Sequence, residues 1–131
     1  MSQTRLILVY LFGSQKENAR KIINGEKVTI VDPLADIDVG VVFSFDVNKI
    51  VDRRKLYAAV YNDFIDIFPS LDLVFLQETH SVFQAEAILG ICAYAKSESL
   101  KDDYELKILA RAADFRYILN KYYEERLEEL R

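Results

Sequence analysis

The first sustained apolar run, Leu6-Ile7-Leu8-Val9-Tyr10-Leu11-Phe12, contains no charged position and ends at Gly13-Ser14. A strand buried on both faces has this pattern. Gln15 to Ile23 contains neither Gly nor Pro. It predicts two turns of helix with Ser14 as N-cap, Glu17 as capping-box partner and Asn24-Gly25 as the stop. Lys27 to Val31 predicts a short strand, Pro33 interrupts, and Ile37 to Phe45 predicts a second apolar strand entered through Asp36 and Asp38. Between Asn48 and Phe68 the apolar residues Ile50, Val51, Tyr57, Val60, Tyr61, Phe64, Ile65 and Phe68 recur at helical steps, and Pro69-Ser70 closes the segment. Leu71 to Leu76 predicts a third strand, apolar except at Asp72. Two helical patterns follow, Val82 to Lys96 and Asp103 to about Leu130. The last would be about 40 Å long at 1.5 Å per residue.

Strands alternating with helices over 131 residues predict a single α/β domain, its core over about 5–76 and its C-terminal helices over about 82–131. Eight Phe and eight Tyr supply bulk for a core. One Cys and one His exclude a Cys/His metal cluster and a disulfide framework, so chemistry here rests on Asp and Glu. A net charge of −4 gives no footprint for gripping duplex nucleic acid. The run from Leu6 to Phe12 is too short to span a bilayer, so no membrane association is expected. With a single cysteine, the cytoplasm is the expected compartment.

Three features stand at the ends of apolar strands, in the order Gly13-Ser14, Asp36-Ile37-Asp38 and Leu71-Asp72-Leu73. Side chains alternate along a strand, so Asp36 and Asp38 project from one face and can converge on a divalent cation. Asp72 adds a third carboxylate if its strand lies beside theirs. A Gly-Ser turn between a strand and a helix offers backbone N–H groups and a hydroxyl to a phosphate. A phosphate turn facing carboxylates suits in-line phosphoryl or nucleotidyl transfer.

Leu11-Phe12-Gly13-Ser14, Asp36-Ile37-Asp38-Val39-Gly40-Val41 and Leu71-Asp72-Leu73-Val74 together resemble the polymerase-β-like nucleotidyltransferases, specifically the minimal nucleotidyltransferases, or MNT. Gln84-Ala85-Glu86-Ala87-Ile88 through Gly90 to Tyr94 is similar to the helix that follows in that family. The resemblance implies a small nucleotidyltransferase fold of the α/β (α+β) class, with a short mixed sheet, helices on one side and a long C-terminal helix. It implies Asp36, Asp38 and Asp72 as catalytic residues, with Asp36 and Asp38 holding Mg²⁺ and Asp72 activating the acceptor hydroxyl. Gly13, Ser14 and Arg20 would bind the nucleotide. The implied activity moves AMP from ATP onto a hydroxyl, such as a tyrosine of a HEPN-type toxin for which MNT proteins serve as antitoxins. Two departures from the family pattern follow Ser14. Twenty-one residues separate Ser14 from Asp36, a longer connection than members carry, and Ala19-Arg20-Lys21 stands displaced from the family's Ala-Arg-Gly.

The remaining chemical side chains have plainer readings. His80 reads as a solvated loop histidine and Cys92 as core filler on a helix. Tyr117, Tyr122 and Tyr123 read as packing residues, and Glu124 to Glu129 as a solvated face on a helix long enough to form an interface, including one between copies of the chain. A rival to transfer chemistry is a catalytically inactive protein that keeps the fold and neutralises or scaffolds a partner. A receiver-type phosphoacceptor expects an acidic pair after its first strand, where this chain has Gly13-Ser14.

Overall fold

In a computed structural model, the structure describes residues 5–28, 35–68 and 70–129. Four strands, β1 (Leu6–Phe12), β2 (Ile37–Phe43), β3 (Leu71–Phe75) and β4 (Ile91–Ala95), form one sheet in the order β3-β2-β1-β4. β1 runs antiparallel to β2 and to β4, whereas β2 and β3 are parallel. The helices are α1 (Lys16–Ile23), α2 (Arg53–Ile65), α3 (Ser81–Ile88) and α4 (Glu98–Glu129).

Alternation along the strands feeds two apolar clusters, one on each face of the sheet. Val9, Leu11, Val39, Val41, Leu73 and Phe75 pack with Ala19 of α1 and with Val60 and Phe64 of α2. Leu8, Tyr10 and Val42 pack with Ala85 and Ile88 of α3 and with Ile108 and Ala112 of α4. The mixed sheet and long last helix are present, but helices cover both faces rather than one. Continuous apolar strands require this, because each has two apolar faces to bury.

Several local expectations change. α1 has Gln15 as N-cap with no side-chain capping bond, and Glu17 pairs with Arg20 rather than closing a capping box with Ser14. The Asn48–Phe68 helix divides into a 3₁₀ turn at Val47–Lys49 and α2. Asp46 caps the turn through Asn48 N–H and Asp52 caps α2 through Lys55 N–H, so each aspartate starts its own element. The Val82–Lys96 helix ends at Ile88, and the chain turns through Gly90 into β4. A Cβ on Gly90 would lie 2.3 Å from the Leu11 carbonyl oxygen, so only glycine lets the chain pass this close to β1. Cys92 accordingly sits on a strand, half-buried against the α3–α4 cluster. α4 starts at Glu98 rather than Asp103, with Ser97 Oγ accepting from Leu100 N–H at 3.1 Å. The predicted Lys27–Val31 strand falls mostly outside the described residues, and Lys27 and Val28 are in neither helix nor strand.

Candidate active site

β1 ends and β2 begins at the same edge of the molecule, and their antiparallel register sets Phe12 opposite Asp38. The parallel register of β2 and β3 sets Asp38 beside Asp72. Ile37, Val39, Leu71 and Leu73 point into the α1–α2 cluster, so Asp36, Asp38 and Asp72 share the opposite face, the one carrying α3 and α4. Gly13 closes the group from the β1 side. Its φ of +75° is left-handed, and a Cβ built on it would stand 2.0 Å from Asp38 Oδ2. Glycine is thus required twice, by its backbone angle and by the carboxylate against it.

The three carboxylates differ in setting. Asp38 is partly buried, and its pKa is pushed up to about 6, first by burial, then by a hydrogen bond with Asp72 and by the charges of Asp72 and Asp36. Asp72 is exposed on the outer strand. Asp36 is also exposed, and its Oδ1 accepts a 2.6 Å hydrogen bond from Ser70 Oγ. Ser70 is fastened in turn, its carbonyl accepting Ile37 N–H at 2.8 Å. Sequence reading passed over Ser70. Its only signal was its position immediately before the parallel strand that carries Asp72.

Ser14 lies exposed on the turn after Gly13. Arg20 is not brought to the aspartates: it lies exposed on α1, paired with Glu17 at 2.6 Å. His80 is more than a loop residue. Its Nδ1 accepts from Val82 N–H at 3.2 Å, capping α3, and its ring packs edge-on against Phe115 with centroids 4.3 Å apart.

Among the described residues, no group of three or more His, Cys, Asp or Glu side chains is arranged to enclose a metal ion. The donor chemistry does suit a cation held more sparsely. Mg²⁺ is commonly bound through one or two carboxylates, with substrate phosphates and water completing its shell. Asp38 crowded by Asp36 and Asp72 provides such an oxygen-only, anionic position. A cavity of about 480 Å³, lined by residues including Arg5, Phe45, Asp52 and Lys55, lies at the opposite end of the sheet and holds none of these aspartates. The candidate site is instead an open surface.

No family model matches the chain, and no curated protein matches it. Solved structures do match. A chain of a toxin–antitoxin crystal structure with AMP-PNP superimposes with a TM-score of 0.64 at 16% identity, over 94% of this chain and 87% of the other. An MntA–HpeT toxin–antitoxin mutant gives 0.63 at 16% identity over the same shares. A tri-AMPylated Shewanella oneidensis HEPN toxin in complex with MNT antitoxin gives 0.61 at 16% identity, over 97% and 89%. The chain has the minimal-nucleotidyltransferase fold. At this identity it is the fold that is shared. On the minimal-nucleotidyltransferase framework, the glycine turn after the first strand and the aspartates of the second and third strands meet on one open face.

Proposed function

We propose that this protein is a Mg²⁺-dependent nucleotidyltransferase that transfers AMP from ATP to a hydroxyl of a protein partner, a tyrosine of a HEPN-type toxin. The observation carrying this reading is the juxtaposition of Gly13, Asp38 and Asp72 across three strands. The complexes sharing the fold, one with AMP-PNP and one with an AMPylated HEPN toxin, favour nucleotide as donor and toxin as acceptor.

In this reading the backbone N–H groups at Gly13 and Ser14 receive the triphosphate. Asp36 and Asp38 would hold Mg²⁺, which when bound neutralises phosphate charge as the transfer proceeds. Ser70 fixes the orientation of the Asp36 carboxylate by donating to Oδ1. Asp72, on the exposed outer strand, takes the proton as the acceptor oxygen attacks the α-phosphorus. The bond to the β-phosphate breaks and pyrophosphate leaves. Incubation with labelled ATP, Mg²⁺ and the HEPN-type partner should label the partner, and the Asp36→Asn/Asp38→Asn variant should not. Equal labelling by both proteins overturns the assignment.

A second reading, an inactive member of the fold that acts only by binding, draws support from Arg20, which is committed to Glu17 rather than to a nucleotide. It places the partner contact, or self-association, on the exposed end of α4. Calorimetry with ATP and Mg²⁺ separates the two, since the inactive protein gives no binding heat.

A further inference from the structure

α3 distributes its side chains unusually. It buries a polar residue, Gln84, at 7% exposure while the aromatic Phe83 beside it stands 37% exposed. Gln84 has a reason to be inside, because its Nε2 donates to the carbonyls of Leu76 and Thr79 and holds the turn that follows β3. Packing gives no comparable reason for leaving Phe83 outside. Among the described residues its one aromatic partner is Phe12, met edge-on with centroids 5.6 Å apart and planes at 87°. Phe12 is the last residue of β1, the register partner of Asp38 and the immediate neighbour of Gly13. An exposed ring, braced by a second ring, therefore flanks the glycine turn and the carboxylates on their own face of the sheet.

We propose that Phe83, braced by Phe12, is the stacking platform for the base of the bound nucleotide. The inference rests on the nucleotidyl-transfer reading and deepens it. The residue immediately preceding the turn that would seat the triphosphate is Phe12, so the two rings are the aromatic surface next to that turn. The two rings offer π-surface and no hydrogen-bonding group. Recognition here reads the face of the base rather than its edge, and aromatic stacking of this kind tolerates different bases. His80 does not compete for the role, its ring being engaged with Phe115.

The test compares ATP with inorganic tripolyphosphate, a probe that has the phosphates but no base. Affinities of both are measured for the full-length wild type, Phe83→Ala and Phe83→Tyr in the presence of Mg²⁺. Phe83→Ala should weaken ATP binding about tenfold or more, in keeping with the strength of base–aromatic stacking, and leave tripolyphosphate unchanged. Phe83→Tyr, which keeps a ring, should bind both as the wild type does. Equal loss of both ligands, or an unchanged ATP affinity in Phe83→Ala, overturns the platform alone. A wild type that binds neither ligand overturns the nucleotidyl-transfer reading, and this inference with it.

Discussion

The Asp38 carboxyl is held near 6 because it is partly buried, hydrogen-bonds to Asp72 and faces the charge of Asp36. Its unfolded reference is 3.8, so between about pH 4 and pH 6 the folded chain binds more protons than the unfolded chain. Stability contributed at this position is complete below that window and is lost as pH rises through it. The carboxylate group thus works against the fold at neutral pH unless a cation joins it. Glycine at position 13 allows the crowding, since any larger residue would collide with Asp38. Thermal melts of metal-free wild type and Asp38→Asn from pH 4 to pH 8 test this directly. The variant should melt at or above the wild type beyond pH 6, with the gap narrowing towards pH 4. Melting curves that stay parallel across the series would show that Asp38 is not strained.

Among the elements, β1 was legible to the residue, and β2 and β3 were legible except where their ends bend away from the sheet. Strict alternation puts Asp36 and Asp38 on one face, whereas Asp72 joins them only through the parallel pairing of β2 with β3. β4 was not legible. Phe83, Ala87, Ile88, Ile91, Cys92 and Ala95 keep helical spacing through the break, and the reason for the break lies far away in sequence. β1 needs a partner on its second edge, and Ile91 to Ala95 supplies it. Gly90 makes the change of structure possible, so it is the position to test. Gly90→Ala would drive a methyl into the Leu11 carbonyl, with Ala87 O and Phe12 Cα also within 3.2 Å. The neighbours are backbone and cannot swing aside, so we expect a loss of about 1–3 kcal/mol in urea unfolding. A variant as stable as the wild type would mean that the α3–β4 turn is looser than described. That both faces of the sheet need helical cover was legible in principle, because β1 and β2 are apolar at every position facing either cluster except Asp38 and Gly40. A strand of that kind needs cover on both faces.

At the scale of the molecule, α4 is longer than the body it packs on. Its 32 residues span about 48 Å, yet its buried residues are Ile108 and Ala112, and Phe115 makes contact with His80. Beyond Phe115 the helix continues with Tyr117, Ile118, Tyr122, Tyr123 and Leu127 exposed. At 100° per residue, the face carrying Ile108, Ala112 and Phe115 runs on through Leu119, Tyr122 and Tyr123. The part of α4 beyond Phe115, short enough to be marginal as a helix on its own in water, carries an apolar stripe of the kind that a partner covers. The body should therefore not depend on the tail, whereas assembly should. A chain ending at Arg116 keeps every buried residue of α4 and the His80 contact. It should melt close to the full-length protein and bind ATP with the same affinity. It should fail to co-purify with the HEPN-type partner proposed above, and the proposed labelling of that partner should fall with it. A shortened chain that still holds and labels the partner would move the interface off α4. One that folds but loses ATP affinity would place the tail within the nucleotide site itself.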